Sequence, residues 1–175
     1  MAAYICCRYF STSPIDARIA IVHHGWLGAR NYMSAADSHD DAPETVVIGR
    51  HEIAYAAHDF MVVRIHGSIS ADDARAVALA ERKIWPNNDL IYLMVVVDEN
   101  TSIESGMLAD VKTIYAGRPP HISVLIGASF TIRTIGSVIN RALRVFGRPS
   151  TLHFFEQEIA GRTWIEEDRK RRANE

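Results

Sequence analysis

Hydrophobic positions along this chain change their period several times, and each change predicts an element. From Thr45, "TVVIGRHEIAYAAHD" carries β-branched residues in partial alternation, and "FMVVRIHG" follows after a short gap. This predicts an antiparallel first strand pair. Ser70 then caps a helix in "SADDARAVALAERKIW", with Asp72 and Asp73 in the first turn, where the helix dipole favours negative charge. Ala74, Val77, Ala78, Ile84 and Trp85 fit one buried stripe of that helix, and "PNND" breaks it. "LIYLMVVV" is apolar without interruption, as expected of a central strand covered on both faces. After the polar bend "DENTSIES", helical spacing returns at Met107, Leu108, Val111, Ile114 and Tyr115, until "GRPP" ends it.

"HISVLIGA" predicts another buried strand, and "SFTIRTIGSVINRALRVFG" the longest helix, stopped by Gly147 and Pro149. "TLHFFE" predicts a last strand and "EQEIAGRTWIEEDRKRR" a last helix, with Ile159, Trp164 and Ile165 facing inward. Strands alternating with helices in this order require a mostly parallel sheet with helices packed on it. The expectation is an α/β fold with a mixed, mostly parallel sheet of about five strands and about four helices.

Residues 1–44 do not share this order. "SAADSHDDAPE" is small, polar and acidic, and reads as a linker ahead of a single domain spanning 45–175. The segment before it has one short apolar run, "ARIAIVHHGW", and is expected to be a partly disordered extension or to pack on the domain. A chain of 175 residues, 48% apolar and 23% charged, has the composition of an ordinary globular protein. Its formal net charge of −2 gives no global attraction to nucleic acid or anionic membranes. No apolar run approaches the ~20 residues that span a bilayer, and "MAAYICCRYF" lacks the features of a secretory signal. Cys6 and Cys7 are adjacent, so a disulfide framework is absent, as expected in the cytoplasm.

Two blocks, "VLIGASFTIRTIGSVINRALRVFGR" and "LHFFEQEIAGRTWIEE", resemble the SpoIIAA-like family of STAS-type domains, also likened to the lipid-binding CRAL-TRIO fold. The features that carry the resemblance are Gly127, Ala128, Ser129, Arg133, Phe154, Phe155 and Trp164, within roughly Thr45 to Asp168. It implies one α/β regulatory domain without enzymatic chemistry, acting through partners or a small bound ligand. Phosphorylatable STAS antagonists resemble one another at an Asp-Ser-Ser-Gly turn after the central strand. This chain has Glu104, Ser105 and Gly106 there, with Ser102 in the same bend, so Ser105 and Ser102 are the candidate phosphorylation sites and the kinase-driven switch is incomplete.

Ser129 has three readings. A hydrolase nucleophile elbow needs a second glycine two residues beyond the serine, where this chain has Thr131. A helix cap explains Ser129 without further chemistry, and the free amides it marks, with Arg133 nearby, suit an anion. On the same helix Arg133, Arg141, Arg144 and Arg148 fall within an arc of about 80°, with Ser137 and Asn140 beside them. Ile135, Val138, Ile139, Ala142, Leu143 and Phe146 are expected on the opposite, buried side. No acid lies between Ser129 and Gly147. The arginines either pair with acids of neighbouring elements or present a forked cationic surface to a protein partner, a lipid headgroup or RNA, nucleic acid being the least favoured.

The histidines His23, His24, His39, His51, His58, His66, His121 and His153 are scattered without metal-ligand spacing, and neither a metal nor a cofactor is expected. His66 and Asp98 each end a strand at the edge where open α/β sheets bind ligands, so an acid-base pair there is conceivable. The function expected first is a non-enzymatic regulatory or scaffold domain that recognises a protein partner through the arginine face and strand-end loops. A small-molecule or lipid carrier, with a pocket between sheet and helices, is the alternative. An enzyme without a known motif is the third.

Overall fold

The computed structural model describes residues 19–21, 44–106, 113, 115–145 and 150–175. Four strands, β1 (Ile19–Ile21), β2 (Thr45–Ile48), β3 (His51–Ala57) and β4 (Phe60–Ile65), form an antiparallel meander. The sheet continues in parallel from β4 through β6 (Ile91–Val97) and β8 (His121–Ile126) to β9 (Ser150–Phe155). Beyond the ends of β4 and β6, the short strands β5 (Ser68–Ile69) and β7 (Ser102–Ile103) pair with each other. The helices are α1 (Ala71–Glu81), followed by a 3-10 turn at Arg82–Ile84, α2 (Phe130–Val145) and α3 (Glu158–Ala173).

The α/β class and the mixed sheet agree with the sequence reading, but the counts do not. "TVVIGRHEIAYAAHD" is two strands, because Gly49 at φ 59° turns the chain and Ile48 pairs with His51. A residue with a side chain is disfavoured in that left-handed conformation. With β1 added, the main sheet has seven strands rather than about five. The described residues include three α-helices, and the one expected at Met107–Tyr115 lies mostly outside them, although Ser105, Gly106 and Thr113 are helical.

The crossovers β4 to β6, β6 to β8 and β8 to β9 all step the same way across the sheet. Crossovers of one hand then place their helices on one face. Ala74 and Ala78 of α1, Tyr115, and Ile132 and Ile139 of α2 accordingly share an apolar cluster with Met61, Val63, Ile91, Leu93 and Val97. Helix α3 follows the last strand and covers the other face, where Ile165 and Trp164 meet Phe60, Val62, Tyr92, Met94, Val124 and Ile126. Alternate residues of β6 therefore serve opposite cores, which is why its sequence shows no polar face. A Cβ on Gly161 of α3 would come within 2.6 Å of Ile126 Cδ1 and 3.0 Å of Val124 Cγ1, so glycine sets this close approach.

Two side chains expected inward point out. Val138 is 58% exposed and Ile159 is 53% exposed. The buried arc of α2 is centred on Ile132, Ile139 and Leu143, and Val138 falls about 120° from it. Among the described residues no helix is long and apolar enough to cross a membrane.

Candidate functional site

Between the sheet and the layer of α1 and α2 lies a cavity of about 150 Å³. Its floor is the inward-facing set of each strand: Val63 and Ile65, Leu93 and Val95, Ser123 and Leu125, and Leu152. Its roof includes Ala74 and Val77 of α1 and Ile132, Gly136, Ile139 and Leu143 of α2. Ala74, Ser123 and Gly136 are small residues in its lining. Protein interiors seldom leave voids much larger than a water molecule, and a cavity of about 150 Å³ is large enough for benzene.

One end of the cavity is polar. Glu81, at the C-terminus of α1, is 1% exposed, Arg118 is 8% exposed, and His121, which opens β8, is 3% exposed. Arg118 Nε donates to Glu81 Oε1 in a short ion pair, and Arg118 Nη1 meets His121 Nε2 at 3.1 Å. Trp85 Nε1 donates to the same Glu81 oxygen at 3.4 Å, and the guanidinium lies 4.7 Å from the Tyr115 ring centre. Burial, and then the Arg118 charge, push the His121 imidazole down to about 3, with the Pro119 carbonyl offsetting this in part. The ring is thus neutral. Because Nε2 accepts from Arg118, Nδ1 carries the proton.

Among the described residues Glu81 Oε2, Arg118 Nη2 and His121 Nδ1 have no hydrogen-bond partner that meets bonding geometry. Three orphaned atoms in one buried cluster are unusual, since buried polar groups are nearly always paired.

Ser129, exposed at the start of α2, accepts a hydrogen bond from the Ile132 amide at 3.4 Å, which is the capping role. Arg133 is not free: Nε donates to the Ala128 carbonyl at 2.8 Å and Nη2 pairs with Glu156. Arg141 and Arg144 are exposed, and neither has an ion-pair partner among the described residues. With Ser137, Asn140, Leu152 and Phe154 they line an open groove beside β9, the edge strand of the sheet. Arg148, Cys6, Cys7, His23, His24 and His39 lie outside the described residues. Ser102 is exposed in β7, and Ser105 is exposed at the start of the helical residues that follow.

The parallel register of β4 and β6 brings His66 and Asp98 together at the sheet edge, Nδ1 to Oδ2 at 3.0 Å, both partly exposed. The His66 amide donates to His51 Nδ1 at 3.2 Å, and His51 Nε2 lies 3.6 Å from Asp73 Oδ2. Burial lowers the His51 pKa despite the Asp73 carboxylate. Asp73 is committed to the capping box of α1, where the Ser70 amide and hydroxyl reach its Oδ2. The Ser129 hydroxyl is engaged at the helix start rather than on an imidazole. Among the described residues no group of three or more His, Cys, Asp or Glu is placed to hold a metal ion.

The polar end of the cavity is absent from the sequence reading. Its signal was present in Glu81, seven residues after Ala74 and three after Ala78, a carboxylate on the buried stripe of α1. Its partner Arg118 lies 37 residues further on, which no local pattern reveals. Compared with known proteins, the chain matches no family model, no curated protein and no solved structure.

Proposed function

We propose that this chain is a non-enzymatic binding domain whose ligand is a small, largely apolar molecule held between the sheet and its helix layer. One observation carries the reading: an apolar cavity of about 150 Å³ lies between the sheet and its helix layer, with the buried Glu81, Arg118 and His121 in its lining. Unfilled volume costs packing energy. A ligand that fills the cavity relieves that cost. The pocket lies where the carrier alternative requires it, between sheet and helices. Its size suits a ring or short chain, whereas a long-chain lipid has about three times the heavy atoms of benzene and would force the layers apart.

Benzene tests this directly. In methyl NMR of the full chain, benzene is expected to shift Val63, Leu93, Leu125 and Leu143, which line the cavity. In Ser123→Leu, where the added side chain enters the cavity, these shifts disappear. Unmoved wild-type methyls at saturating benzene would sink the proposal.

A second reading rests on Arg141 and Arg144, exposed and unpaired among the described residues, beside an edge strand. Forked cations next to Leu152 and Phe154 suit an acidic protein segment. A partner retained in pull-downs by the wild type and lost by Arg141→Glu/Arg144→Glu supports a regulatory module of the STAS type. Retention of the same partners by both proteins contradicts it.

A further inference from the structure

Strand β9 ends the sheet, and it lacks the devices that usually protect an edge. The Phe155 carbonyl accepts from the Gly127 amide, so the main chain of Phe155 faces β8. Successive residues of a strand direct their N–H and C=O groups to opposite sides, so those of Leu152 and Phe154 point to the open edge. Among the described residues no strand lies beyond them to pair with these groups. Edge strands are ordinarily blunted by charge, proline or a bulge. "STLHFF" has no charged residue and no proline, and its register with β8 runs unbroken from Ser150 to Phe155.

Beside this edge lies the groove of Arg141 and Arg144. Resting on the reading of that groove given above, we infer that its partner is an acidic segment that adds to β9 as a further strand. The side chains of Leu152 and Phe154 lie on the α2 side, and those of His153 and Phe155 lie on the α3 side, where both meet Trp164. A strand laid on the edge keeps this alternation. Every second side chain of it then comes to the side of Arg141, Arg144 and the exposed Val145. Alternate side chains of a strand stand about 7 Å apart, and residues three apart on a helix rise about 4.5 Å, so carboxylates in alternate positions suit both guanidiniums on their flexible stems.

Charge selects the occupant. No acid lies between Ser129 and Gly147, Arg141 and Arg144 have no ion-pair partner among the described residues, and Glu156, just past β9, is held by Arg133. Antiparallel pairing of β9 with the same strand of a second copy would also extend the sheet. Two-fold symmetry would then set both α2 helices, with their arginines, on one face of the joint, where like charges oppose it. A basic segment is repelled in the same way. An acidic strand gains main-chain hydrogen bonds from the edge and charge-assisted ones from the arginines.

The probe is the labelled peptide Glu-Val-Glu-Val-Glu-Val-Glu, blocked at both ends and titrated with the full chain by fluorescence anisotropy. Binding is expected, and should weaken about tenfold or more when lysines replace the glutamates or when the protein carries Arg141→Glu/Arg144→Glu. Methylating the amide nitrogens of the glutamates alone, or of the valines alone, removes the donors from one edge of the peptide. A strand added to β9 uses one edge, so one methylated peptide should lose binding and the other keep it. If both behave alike while the lysine peptide still binds weakly, strand addition is overturned and the groove reading stands. If the glutamate peptide does not bind, or the lysine peptide binds equally, both fail. A wild type that runs as a dimer and is dissociated by the peptide gives this edge to a second copy, and overturns the inference too. The peptide series on the wild type decides the matter even should the arginine variant not fold.

Discussion

At the start of β8 the imidazole of His121 rests against a guanidinium and away from water. Burial first, and Arg118 second, lower its pKa from 6.5 to about 3. The sign of the consequence follows from proton uptake. Below pH 6.5 the unfolded chain binds a proton at this residue that the folded chain refuses, so stability falls as pH falls from 6.5 towards 3. The slope is about 1.4 kcal/mol per pH unit for this residue alone. Burial also lowers the pKa of His153, and lowers that of His51 against the pull of Asp73, so both add to the loss with the same sign. Urea midpoints are expected to drop steadily between pH 6.5 and pH 4. His121→Gln, neutral in both states, should flatten part of that decline. A decline equally steep in His121→Gln would show that the imidazole is not buried as described.

At the scale of elements, what was legible in the sequence follows from what is local. The helix α2 could be read because it packs on one layer only, so Ile132 and Leu143 recur at helical spacing while Arg141 and Arg144 stay outside. Its exact buried arc was not legible, since Val138 is as apolar as its buried neighbours and only the position of the sheet decides against it. The hairpin of β2 and β3 did leave a mark: Gly49-Arg50 are two residues between apolar runs, the spacing of a tight turn. Pairing across distance is different. That His66 meets Asp98 depends on β4 and β6 aligning Ile65 with Val97, and that Glu81 meets Arg118 depends on how α1 and the β8 entrance pack. The candidate site is built almost wholly from such non-local contacts, so hydrophobic periodicity found the walls of the cavity and missed its polar end.

Across the whole molecule the two faces of the sheet are packed to different standards. On the α3 face Gly161 lets the helix approach until a single added carbon would collide with Ile126 and Val124. On the α1 and α2 face the same sheet borders about 150 Å³ of cavity. Pressure reads this difference, because unfolding eliminates internal void and lowers the system volume, by tens of mL/mol in ordinary domains. Ser123→Leu, which places apolar atoms into the cavity from the middle of β8, should therefore unfold with a smaller volume decrease than the wild type. Saturating benzene should shift the wild type in the same direction. The comparison also separates void from solvent: a cavity already filled by water is not eliminated on unfolding. In that case the two proteins would give the same volume change, and an apolar ligand would have to displace ordered water rather than enter unfilled space.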